Sequence, residues 1–171
     1  MDIQAISNTG PLVHLTQIGK LSLLKDLFHR IAIPESVKFE LIDKGKKLGK
    51  PDAIIIEKEI NQWIDVIKDP EIKKEFSEKS GIHKGELAVI LLAKDWNLPA
   101  LIDDAAARSF AKAMGTTVVG SIGLLIKATK DRLLSGMDAL SSLENLSEIM
   151  WLSPSLYEYA RKSIQSLERQ I

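Results

Sequence analysis

The chain has 171 residues, enough for one domain with a true core, and its 23 Lys plus Arg balance 23 Asp plus Glu, so any contact with a polyanion has to come from a local patch. With no cysteine it can form no disulfide, thiolate nucleophile or cysteine-ligated zinc site. The start MDIQAISNTG lacks the regions of a signal peptide and no apolar run approaches the roughly 20 residues that cross a bilayer, so a cytoplasmic protein without a membrane span is expected.

Ile3 to Ile6 reads as a short strand running into Ser7-Asn8-Thr9-Gly10-Pro11, a cluster of turn formers rich in side-chain oxygens. Leu12, Leu15 and Ile18, then Leu21, Leu24 and Phe28, recur at helical spacing on either side of Gly19, which predicts two short helices. Ile31 to Ile33 gives a second strand. Pro34 suits the first position of a helix whose expected buried side carries Val37, Leu41 and Lys44, with Glu40 close to that edge. Residues 44–52, KGKKLGKPD, hold four lysines and no apolar period and read as a mobile surface loop. A helix over 53–60, an edge strand over 63–67 and a solvated helix over 70–79 follow.

The helix expected over 83–96 has little polar face, so most of its circumference should be buried. Residues 99–102 form the next strand and end in Asp103 and Asp104. A helix over 105–114 is stopped by Gly115, a β-branched strand covers 116–119, and Gly120-Ser121-Ile122-Gly123 starts a helix through Lys130. Two C-terminal helices part near Pro154. Regular alternation of strand and helix predicts an open parallel α/β sheet, in which ligands gather beyond the carboxyl ends of the strands, where Asp103 and Asp104 stand.

Each candidate residue also has a plain structural reading. Asp104, just before Ala-Ala-Ala-Arg, would serve as an N-cap, and Glu86 in a first helical turn is favoured by the helix dipole. Asn8 would bond its own backbone in a turn. Two adjacent carboxylates repel one another, and Arg108, one turn after Asp104, is placed to neutralise them. His14, His29 and His83 have no metal-ligand spacing, and no serine-nucleophile motif or phosphate-binding glycine loop is present. Lys44, Lys46, Lys47 and Lys50 form a solvated group able to touch a phosphate backbone, while Lys84 and Arg108 lie nearer the strand ends. Trp151, Tyr157 and Tyr159 read as packing residues of a C-terminal or dimer contact.

The segments ISNTGPLVHL, IPESVKFEL, GELAVILLAK, LIDDAAARSFAKAMG and VVGSIGLLIKA, in this order, resemble the PIN-domain superfamily over approximately residues 3–130. They are most similar to its branch opening on an S-N-T-S-P-L type segment. The resemblance implies an α/β, PIN-like three-layer fold with a central parallel sheet flanked by helices, and an acidic cleft holding Mg²⁺ or Mn²⁺. It places metal-binding and catalytic carboxylates at Glu40, Glu86, Asp103 and Asp104 and leaves open which of the last two faces the cleft. Asn8 stands where the family usually has aspartate, as a neutral ligand, and Gly10 where many members have a hydroxyl. RNA contacts are expected at Thr9, Lys84 and Arg108. The domain is expected over 1–135, with 136–171 a helical extension packed on it. By this resemblance the chain is a metal-dependent endoribonuclease, a homodimeric toxin paired with a small antitoxin. Its alternative is a catalytically inactive module binding RNA or a protein.

Overall fold

Each short apolar stretch finds its hydrogen-bonding partner in another, and the computed structural model, which describes residues 2–169, contains one five-stranded parallel sheet. The strands are β1 (Ile6–Ser7), β2 (Ile31–Pro34), β3 (Ile64–Ile67), β4 (Ala100–Leu101) and β5 (Val118–Val119). Their order is β3-β2-β1-β4-β5, with Ile6 opposite Ala32 on one side and Ala100 on the other. The pairing extends beyond these bounds: Gln4 N–H donates to Arg30 O, Asn8 N–H to Leu101 O at 2.9 Å and Ile102 N–H to Val119 O at 3.0 Å. Ile31, Ala32, Ile33 and Leu101 are fully buried, which is why these strands read as continuous apolar runs without alternation.

Helices cover the sheet as expected of the α/β class. They are α1 (Thr9–Gln17), α2 (Ser22–Phe28), α3 (Glu35–Lys38), α4 (Gly45–Lys47), α5 (Pro51–Glu57) and α6 (Lys74–Ser80). Then come α7 (Lys84–Trp96), α8 (Ala105–Ala113), α9 (Ser121–Lys130), α10 (Gly136–Ile149) and α11 (Pro154–Glu168). Leu87 to Ile90 and Ala93 of α7 are fully buried, in keeping with the nearly continuous apolar surface of that helix. Leu12, Leu15, Ile33, Val89, Ile90 and Leu101 belong to one apolar core around the sheet.

From β1 the chain builds outward through β2 to β3, then crosses back to place β4 and β5 on the other side. The connections after β1 and β4 therefore diverge, and a crevice opens between them beyond the carboxyl ends. Asn8 follows β1; Asp103 and Asp104 follow β4. Strand order alone thus draws two distant parts of the sequence to one place.

Expectations for residues 34 to 57 are corrected. Pro34 ends β2 in extended conformation instead of opening a helix. Residues 44–52 are not one loop: α3 continues through a π-helical turn, Phe39–Lys44, into α4, and α5 begins at Pro51 and ends at Glu57. Gly45, which looks like a helix breaker, is buried where a Cβ would lie 2.8 Å from the Ala53 Cβ. Its lack of a side chain lets α4 and α5 pack closely.

A second apolar cluster joins α9 to α10 and α11 through Ile122, Leu125, Leu143, Leu146 and Ile164, with Leu23 of α2. Tyr157 packs on this cluster, whereas Trp151 is 86% and Tyr159 64% exposed, so only one of the three aromatics packs within the chain. Among the described residues no helix is long and apolar enough to cross a membrane.

Candidate functional site

Asn8 sits in extended conformation immediately before α1, but its side chain does not cap that helix. Its Oδ1 is buried without a hydrogen-bond partner, and so is Thr9 Oγ1. A buried amide oxygen left unpaired costs about 1–3 kcal/mol, so the turn-forming role expected of Asn8 alone does not account for its placement. Both residues line a cleft of about 800 Å³ together with Glu40, Lys84 and Glu86.

Glu40 enters this cleft from the π-helical turn, a widened geometry that recurs at functional sites. Gly85 provides the cleft with a bare backbone surface: a Cβ there would lie 3.8 Å from Asn8 Oδ1 and 3.8 Å from Glu40 Oε2. The amide oxygen and the carboxylate therefore border the same small volume. Glu86 is the next residue, in the first turn of α7.

The Glu86 carboxyl is pushed above its ordinary 4.5, first by burial and then by the negative charge of Asp104, with Glu40 adding to the rise. A hydrogen bond to the His83 backbone and the charge of His83 pull it the other way. Glu86 thus lies within electrostatic reach of two carboxylates carried by different elements. A raised folded-state value means that the folded protein holds this proton more tightly than the unfolded chain. Glu86 then favours folding below the unfolded value, and that contribution is lost as pH rises through the folded one. Glu86→Gln is expected to melt at a higher temperature than the wild type at pH 7, with the gap closing toward pH 4. Thermal denaturation across this range checks the sign, and a gap independent of pH contradicts the crowding of carboxylates.

The two strand-end aspartates have separate tasks. Asp104 is the N-cap of α8, its Oδ1 accepting from Ala107 N–H at 2.8 Å, so the capping role is real while its charge still acts on Glu86. Asp103 turns toward α1 and α9: it accepts from Ser121 N–H at 2.6 Å, Ser121 Oγ–H at 2.7 Å and His14 Nδ1 at 2.7 Å. Neither aspartate lines the cleft itself. Arg108, the expected cation, forms no ion pair with either aspartate and its Nε is buried without a hydrogen-bond partner, although its Nη1 stands 3.4 Å from where a Gly120 Cβ would lie, on the Asp103 side. Lys84 lines the cleft and pairs with Asp69 at 3.5 Å, and Asp69 also accepts from Ser36 N–H and Oγ–H. Of the lysine group, Lys44 and Lys50 line the cleft, while Lys46 is paired with Glu57 at 2.9 Å.

His14, Ser121 and Asp69 are site neighbours that the sequence reading missed. His14 is one helical turn beyond Gly10, and Ser121 opens a helix right after a strand. Those positions were the available signals. Among the described residues, no group of three or more His, Cys, Asp or Glu side chains is placed to hold a metal ion. The oxygens of Asn8, Glu40 and Glu86 that line the cleft are of the kind taken by a small hard cation, which keeps several waters and needs only one or two carboxylates directly.

A parallel α/β domain with an acidic crevice at the switch point of its sheet is the class that the fold and site define. A family model described as DUF3368, a PIN domain, matches residues 4–166. The chain belongs to the PIN-domain family, a nuclease-type fold. No curated protein and no solved structure gives a significant match to it.

Proposed function

We propose that the protein is a metal-dependent endoribonuclease in which Asn8, Glu40, Glu86 and Asp104 share one divalent cation, Mg²⁺ or Mn²⁺. The observation that carries this reading is the buried, unpartnered Asn8 Oδ1 beside Glu40 and next to a Glu86 whose proton affinity is raised by its acidic neighbours. Such a cation, when bound, supplies positive charge for the phosphoryl oxygens and an acidified water. Glu40, Glu86 and Asp104 supply the negative charge that retains it, and Asn8 adds an oxygen without a charge. Lys84, 72% exposed, meets an RNA phosphate by exchanging Asp69 for it, with Thr9 beside it in the cleft lining. Arg108 contributes further positive charge behind Asp104.

The purified protein is expected to cut single-stranded RNA internally in Mn²⁺ or Mg²⁺ and to stop when the ion is chelated. Cleavage that continues at full rate in excess chelator contradicts the proposal. The toxin role adds a small antitoxin and a homodimer. A short reading frame for a DNA-binding protein beside this one supports that role, and a monomer at micromolar concentration in sedimentation counts against the dimer.

A second reading, a catalytically inactive PIN-like module that binds RNA or a protein, is favoured by two observations. Asn8 carries no charge, and Asp103 has its oxygens engaged by Ser121 and His14. Mn²⁺ binding with RNA retained intact is its signature.

A further inference from the structure

We infer that Asp103 is a positioning residue: clasped by His14 and Ser121, it locks α1 to the end of β4, so that Asn8, just before α1, and Asp104 are held toward one another. The inference rests on the cation site proposed above and assigns Asp103, His14 and Ser121 a task outside the ligand set.

Three observations carry it. Both oxygens of Asp103 are engaged: Oδ1 takes Ser121 N–H at 2.6 Å, and Oδ2 takes Ser121 Oγ–H and His14 Nδ1, each at 2.7 Å. Hydrogen bonds to an ionised carboxylate are about twice as strong as neutral ones, and the side chain is only 8% exposed. The carboxylate is also walled in by backbone. A Cβ on Gly10 would lie 3.3 Å from Asp103 Cβ and 3.4 Å from Oδ2, and one on Gly120 would lie 2.9 Å from Oδ1. Arg108 Nη1 stands 3.4 Å from that same Gly120 position. This enclosure leaves no room for a cation that keeps its waters.

The third observation is connectivity. His14 belongs to α1, whose first residues follow Asn8; Ser121 opens α9 after β5; Asp103 is adjacent to the α8 cap. One carboxylate therefore ties three elements at the place where the connections diverge. The absence of a side chain at Gly10, a departure from the family pattern, is what lets α1 come this close to Asp103. Catalytic groups have to be held to within about 0.5 Å by locked neighbours, and this is the lock available to Asn8 and Asp104.

The test compares Mn²⁺ affinity, by calorimetry, in His14→Ala with Ser121→Ala, in Asp103→Asn, and in all three changes together. Positioning predicts that removing the two donors with Asp103 intact weakens binding about 10-fold or more, that Asp103→Asn does the same, and that the triple change adds little. His14→Asn, whose amide N–H stands near the place of Nδ1, restores affinity. A directly ligating Asp103 predicts the opposite sign: freeing it preserves or strengthens binding while Asp103→Asn alone destroys it, and that result overturns the inference.

Hydrogen exchange gives a readout independent of the ion. The amides of Asn8 and Ala107 are expected to exchange about 10-fold faster in the double variant, with those of α10 and α11 unchanged as evidence that the protein is folded. Unchanged protection at Asn8 and Ala107 overturns the inference. A wild type that binds no Mn²⁺ defeats the cation reading, and the exchange result then decides the positioning role alone.

Discussion

Asp104→Asn and Glu86→Gln are each expected to lower metal-dependent RNA cleavage by roughly 10²–10³-fold, the range found when one charge-stabilising group is removed from an active site. The two substitutions are informative because neither should unfold the protein. Asparagine caps a helix about as well as aspartate, so the Ala107 N–H keeps an acceptor when Asp104 becomes Asn. Only the charge is lost. Glu86→Gln removes a carboxylate that burial and its neighbours already disfavour, so the folded state gains at neutral pH while cleavage falls. Circular dichroism and melting curves establish that the variants are folded, and single-turnover cleavage of a labelled RNA gives the rate. Should Asp104→Asn cleave at the wild-type rate, Asp104 is a helix cap and nothing more.

Asn8→Asp is expected to act in the opposite direction, raising Mn²⁺ affinity by about 10-fold or more, because ligand charge is a main determinant of affinity for hard cations. The new carboxylate oxygen would occupy the place of an amide oxygen that has no protein partner, so coordination requires no rearrangement. Without the ion the same substitution adds a charge to a site where Glu86 is already pushed up by Asp104 and Glu40. The metal-free variant should therefore melt below the wild type at pH 7 and recover, or surpass it, when Mn²⁺ is added. Calorimetry and paired melting curves measure both halves. A lower melting temperature without a gain in affinity would show that Asn8 does not face the ion.

The central strands were legible because a buried parallel strand reads as a short apolar run, and α7 because its apolar residues occupy nearly every turn. The region from Pro34 to Glu57 was not. Gly45 has the same appearance whether it ends a helix or admits a neighbouring one, and nothing in local periodicity marks a π-helical turn. At the site, the linked family segments pointed to Asn8, Glu40, Glu86, Asp103 and Asp104. The structure brings the first three to one cleft, with the charge of Asp104 felt there. Sequence could not separate Asp103 from Asp104, because adjacent residues at a strand end point to different sides and only tertiary partners show which is which. Those partners, His14 and Ser121, lie far away along the chain. Arg108 was placed by helical spacing alone, and spacing does not show that its Nε is buried without a partner.

Crystals grown with saturating Mn²⁺ and measured for anomalous scattering give the most direct test of the claim that oxygens from separate elements hold one ion. The account predicts a peak in the cleft within about 2.1–2.3 Å of Asn8 Oδ1 and a Glu86 oxygen, with Glu40 and Asp104 around it directly or through water. A peak coordinated by Asp103 instead, or no peak near Asn8 and Glu86, would contradict it.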